Sequence, residues 1–261
     1  MQISDFVGTV NKILPPETAM SFDKVGLQLQ SGNTEVSKIL VAYEIIPEIV
    51  DEAIALHADM IFAFHPLIFN PMTNICEDER QGWLVTKLIK HGISVFIAHT
   101  NFDAYRFGTS RLLADKLDLE TTGFLLPDAN YPNTGMGTVA EVKGGAITES
   151  ELLDRVKSVC GSILRYNATG RKIKKVALLG GSGFSFINEV YANNCDAFIT
   201  GDCSYHRFHE VFGKVFLIDA GHNETEKFVA GGIYDLLCEL FKNENIKPVL
   251  ATTSKSPVSI W

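Results

Sequence analysis

The feature that most limits what this chain can fold into is an alternation of short, fully apolar runs with stretches of helical periodicity. Residues 38–43 read as a strand, and Pro47, placed for a first helical turn, opens a helix to about His57. A second run covers 59–64, a helix follows over about 79–90, and a third run covers 93–98. In the C-terminal half, runs at 175–179, 196–200 and 215–218 alternate with helices that open after Gly180-Gly-Ser-Gly183, around Tyr205 to His209, and after Gly221. Strands that alternate with helices predict a parallel arrangement. The expected class is therefore α/β, with two lobes of related topology and mixed, largely parallel sheets flanked by helices.

The halves echo one another. Lys38-Ile-Leu-Val-Ala, a helix and Ala58-Asp-Met-Ile-Phe-Ala in the first match Lys175-Val-Ala-Leu-Leu, a helix and Cys195-Asp-Ala-Phe-Ile-Thr in the second. Any two βαβ units look partly alike, so one continuous sheet stays open as the alternative. Residues 121–137 are rich in turn formers, among them Pro127, Asp128, Asn130, Pro132 and Gly135. The boundary is placed there: an N-terminal lobe over 1–125, a C-terminal lobe over 126–261, and a metal cleft between them. Elsewhere, residues 3–14 predict an amphipathic helix stopped by Pro15-Pro16, and Thr148-x-x-Glu151 is a capping box for a helix to about Cys160. Strands are also expected at 163–166 and, as an edge, near 249–252.

Charge and composition exclude several functions. Lys+Arg 23 against Asp+Glu 31 gives a net charge of −8, which repels a phosphate backbone, so no nucleic-acid partner is expected. No apolar run approaches the roughly 20 residues that span a bilayer, and the N-terminus lacks a basic segment followed by an apolar one. The expectation is a cytoplasmic protein with no membrane partner. The cysteines number 5, with no C-x-x-C pair, so neither a disulfide framework nor a thiolate zinc site is indicated.

In parallel sheets, ligands bind beyond the carboxyl ends of the strands. Here the residues with ligand chemistry collect at such ends: Phe64-His65, His99 to Asp103, Gly201-Asp202 with His206, and Asp219 to Glu226. His222 and Glu226 are four apart, so on a helix an imidazole and a carboxylate share one face, as two ligands of a divalent metal often do. A capping reading competes, with Asn223 as the cap and Glu226 closing an Asn-x-x-Glu box. His65 could equally orient the turn before Pro66, and Asp103 could cap a helix from about Thr109. Gly180 to Gly183 could cradle a phosphate, or simply turn a strand into a helix. Together, His65, Asp103, His222 and Glu226 form a nitrogen and oxygen set suited to zinc, iron or manganese.

Phe64-His-Pro-Leu-Ile-Phe69, His99-Thr-Asn-Phe-Asp-Ala104, Gly180 to Gly183, Asp196-Ala-Phe-Ile-Thr-Gly-Asp202 with Tyr205-His206, and Ile218-Asp-Ala-Gly-His-Asn-Glu-Thr-Glu226 resemble the ordered signature blocks of the Nif-three-like family. Many of its members carry the name GTP cyclohydrolase I type 2 or dinuclear metal centre protein. Phe22-Asp-Lys-Val-Gly-Leu27 is similar to its N-terminal block, and the chain looks like the short form without an inserted domain. The resemblance implies a ring-shaped homohexamer with one or two divalent metal ions per subunit, held by His65, Asp103, His222 and Glu226. It implies a metal-dependent hydrolase of a nucleotide-like small molecule, with His99 and His206 as proton carriers. A non-enzymatic metal-binding or partner-binding scaffold is the alternative. Phe64 stands where many bacterial members have the first histidine of His-His-Pro, which removes one imidazole from the second metal position. Tyr105-Arg-Phe107 also departs from the small residues common after the aspartate.

Overall fold

The computed structural model describes residues 1–161, 163–253 and 256–258. Residues 162, 254–255 and 259–261, part of the expected C-terminal lobe, lie outside that description. The chain divides into two compact units, Met1–Phe102 with Val229–Pro257, and Asp103–Phe228.

The first unit is built on a five-stranded sheet. Strands Lys38–Ala42, Met60–Ala63 and Ser94–Ile97 lie side by side and parallel in that sequence order. Gly26–Leu29 adds antiparallel to Ser94–Ile97, and Lys247–Leu250 adds parallel to Lys38–Ala42 as the outer edge. The central strands are buried at every position, which is why their sequences show no polar alternation. The C-terminal edge strand arrives through the helix Val229–Leu240, whose Val229, Ile233 and Leu237 are buried, and Phe241 stacks on Phe6 at 5.0 Å.

The second unit carries a six-stranded mixed sheet. Strands Lys175–Leu178, Ala197–Thr200 and Phe216–Asp219 are parallel, and Arg165–Tyr166 closes one edge antiparallel. On the other side lies an antiparallel hairpin of Leu119–Pro127 and Gly135–Val142. The expected boundary at 125/126 thus falls inside a strand, and Asp128, Asn130 and Pro132 lie in the hairpin loop. A register shift between Thr121 and Gly123 and the largely exposed outer strand break the apolar periodicity that would have marked it. Apolar layers cover both faces of this sheet, one around Leu152, Val156 and Ile199, the other around Phe198, Val211 and Leu217.

The echo between halves extends to individual hydrogen bonds. Asp59 accepts from the amides of Ser37 and Lys38 at 2.8 and 2.9 Å, and Asp196 from those of Lys174 and Lys175 at 2.9 Å each. Each aspartate amide returns the bond to a lysine carbonyl, Asp59 to Lys38 and Asp196 to Lys175. Lys38 Nζ donates to the carbonyl of Leu56 and Lys175 Nζ to that of Asn193, closing the C-terminal end of each crossover helix. Two residues before each aspartate the chain turns left-handed, at His57 (φ 50°) and Asn194 (φ 52°). The capping box also forms as expected: the Thr148 side chain accepts from the Glu151 amide, and Glu151 from the Thr148 amide.

Candidate metal centre

In the second unit, the strand Phe216–Asp219 passes through Ala220 and Gly221 into the one-turn helix His222–Glu226. Gly221 is the N-cap and no side chain caps this helix, so the reading of Asn223 as a cap is not realised. The expected continuous helix is instead two, His222–Glu226 and Val229–Leu240. His222 Nε2 stands 3.1 Å from a Glu226 carboxylate oxygen, and Nδ1 stands 2.7 Å from Asp202 Oδ2. Glu226 is 3% exposed. The Glu226 contact, opposed by burial and reinforced by Asp202, pushes the imidazole pKa of His222 up to about 9.

The backbone comes close to both side chains at two glycines. A Cβ at Gly181 would lie 2.2 Å from Glu226 Oε1 and 3.3 Å from His222 Cε1, and one at Gly201 would meet the His222 amide nitrogen at 2.8 Å. These glycines form a cradle that lets the backbone approach the two ligand-type side chains closely. The Gly180 to Gly183 turn, by contrast, is not an open anion nest. The amides of Gly180, Gly181 and Gly183 donate to the hydroxyls of Ser110, Thr225 and Thr200. Asp103 closes the short helix Thr100–Asp103, where it accepts a hydrogen bond from the Thr109 hydroxyl. The helix Thr109–Lys116 starts from Gly108 without a side-chain cap, so Asp103 grips its first residue by the side chain instead of capping it.

In the first unit, His65 follows the strand Met60–Ala63 and its Nδ1 lies 2.8 Å from Glu44 Oε2. His99 follows Ser94–Ile97, with Nδ1 2.9 Å from Asp23. The two rings meet edge to face at 5.4 Å between centroids, and the Phe64 ring lies 5.1 Å from His99. Phe64 is fully buried and stacks on Tyr43, so it serves as packing. Asp23 also accepts from the Lys24 amide and from the amide and hydroxyl of Thr100. Burial alone would raise its pKa; the bonds from His99 and Thr100 outweigh that and hold it at about 2. His206 lies on the exposed helix Tyr205–Glu210, with Tyr205 at 5.6 Å and His209 at 6.4 Å as ring neighbours.

The sequence reading missed Glu44 and Asp23 as partners and did not link Asp202 to His222. Glu44 could have been found as the polar residue that closes a buried strand. Asp23 lies 76 residues from His99, and no local signal connects them.

Within the second unit, His222 and Glu226 offer an imidazole and a carboxylate, donor types compatible with a divalent cation. The molecule is thus of the class of two-sheet α/β proteins with histidine–carboxylate pairs at the carboxyl ends of parallel strands. More particularly, the model of the Duf34/NIF3 (NGG1p interacting factor 3) family matches residues 1–257, and the chain belongs to that family. A Streptomyces coelicolor protein named GTP cyclohydrolase 1 type 2 homolog is 34% identical over 233 residues, spanning 86% of this chain and 81% of its own length. A Lactococcus lactis protein of the same name is 35% identical over 237 residues, spanning 88% and 89%. The crystal structure of Staphylococcus aureus protein SA1388 shares the fold, with a TM-score of 0.90 at 26% identity over 100% of this chain and 99% of that one. No helix of the described residues is long and apolar enough to cross a membrane.

Proposed function

We propose that the chain is a divalent-metal-dependent hydrolase of a nucleotide-like small molecule, working in the cytoplasm as a homohexamer. His222 and Glu226 are the central ligands, with Asp103 and His65 completing the set around one or two ions of zinc, iron or manganese. The observation that carries this reading is the placing of His222 between Glu226 and Asp202 in a glycine cradle, an arrangement that concentrates negative charge around one imidazole. The name GTP cyclohydrolase 1 type 2 homolog, carried by relatives at 34% and 35% identity, supplies the substrate class. A bound divalent ion would supply an acidified water and a clamp for charge that develops on oxygen. The chain's own part is to hold Glu226 away from solvent, to orient His222 through Asp202, and to accept and return protons at His99 and His206.

The test is released formate from GTP with metal-loaded protein. The hydrolase reading predicts turnover that Glu226→Ala abolishes, and equal signals from both proteins would remove it. Elemental analysis checks the ligand set separately, with His222→Ala expected to lose most of the bound metal. Unchanged occupancy would take His222 out of the set.

A second reading, a metal-binding scaffold without turnover, is favoured by one observation: several of the groups that could grip a triphosphate are engaged elsewhere. The glycine-turn amides are bonded internally, Lys227 Nζ donates to the Cys160 carbonyl, and Arg207 pairs with Glu210. Metal loss in His222→Ala with no formate from either protein is the outcome this reading predicts.

A further inference from the structure

We infer that Asp23 is a positioning residue that locks His99 with its proton on Nδ1 and its lone pair on Nε2. The inference deepens the proposed function, because it rests on His99 as a proton carrier there. The Asp23 side chain is fully buried, and four donors converge on it: the His99 ring, the Lys24 amide, and the amide and hydroxyl of Thr100. Four donors saturate the lone pairs of an ionised carboxylate, which can only accept. The ring nitrogen facing it must therefore be the donor, and in a neutral imidazole the other nitrogen is then bare.

Two further features fit a positioning role. The ring is fixed in orientation as well as in tautomer, since Phe64 and His65 both meet it edge to face. The clamp also recurs: Glu44 takes the Nδ1 of His65 and Asp202 the Nδ1 of His222. A carboxylate on the rear nitrogen sets which nitrogen faces a ligand and raises its basicity. Of the three carboxylates, Asp23 is the one with no exposed side-chain surface, against 36% for Glu44 and 52% for Asp202. It is also the least screened by solvent.

The experiment is long-range proton–nitrogen NMR of the full nitrogen-labelled chain with the His99 ring neutral, the ring signals assigned by His99→Gln. In the unsubstituted protein, Nε2 of His99 is expected to resonate as an unprotonated nitrogen and Nδ1 as a protonated one. The reverse pattern overturns the inference without any variant. Asp23→Asn and Asp23→Ala are expected to move the proton to Nε2 in much of the population. A folded variant with the tautomer unchanged also overturns it.

Thr100→Val serves as the control, since it removes a hydroxyl from the same carboxylate without touching the ring. It should keep the tautomer, and an equal shift there would overturn a specific role for Asp23. Once turnover is measurable, Asp23→Asn is expected to lower kcat about 10²-fold with KM little changed, within the range of general acid–base contributions. Full kcat in that variant overturns the inference. The nitrogen spectra need neither metal nor substrate, so failure of the hydrolase reading is seen separately from failure of the tautomer lock.

Discussion

The parallel cores of the two units share a frame and differ at its mouth. In both, an aspartate at the start of the second strand ties down the start of the first, and a lysine closes the crossover helix. Past the strand ends the likeness stops. Where the second strand of the first unit continues into buried Phe64, that of the second continues into Gly201, whose missing Cβ lets the His222 turn approach. Where the first strand of the first unit leads to Tyr43 and Glu44, that of the second leads to Gly180 and Gly181, packed under Thr109 and Glu226. Buried strands tolerate few solutions, whereas the loops at their carboxyl ends are free to differ, so the chemistry collects there.

The contrast can be broken most directly at Phe64 and Gly201. Phe64→Ala removes a fully buried ring and is expected to cost about 3–5 kcal/mol of unfolding free energy. Gly201→Ala, the opposite change at the matching place, should cost about 1–3 kcal/mol through overpacking, because the atoms it meets are backbone. Urea titration of the two variants checks both, and a neutral Gly201→Ala would mean that the turn is not close-packed.

Acid sharpens the contrast next. The folded pKa of Asp23, about 2, lies below its unfolded value near 3.9, so its contribution is fully present above about pH 4 and is lost as pH falls toward about 2. That contribution is on the order of 2 kcal/mol. Stability profiles of the wild type and Asp23→Asn should converge across this window, and parallel profiles would refute the assignment.

The smallest expected effect tests the shared frame. Asp59→Ala and Asp196→Ala should each cost about 1 kcal/mol, Asp59→Ala slightly more because Asp59 also accepts from the Ser37 hydroxyl. Widely different losses would show that the two frames are alike only in outline.

Much of this was legible in the sequence, for a local reason. Both of the buried strands that end at Ala63 and Thr200, the crossover helix from Pro47 and the capping box at Thr148 depend on residues within one or two turns of each other. The ligand-type residues were legible as well, since strand ends in parallel sheets are where such groups gather. The hairpin Leu119–Val142 was not, because an edge strand with a bulge carries turn-forming residues and little apolar alternation.

The sequence by itself determined the α/β class, the repeated strand–helix–strand pattern and which histidines stand at strand ends, because these follow from periodicity and short-range hydrogen bonding. Only the tertiary structure decided which carboxylate faces which ring, and that the last helix and strand return to the first unit's sheet. Such pairings join residues 20 to 76 positions apart, and their choice depends on how the strands are ordered in the sheet, which no local pattern encodes.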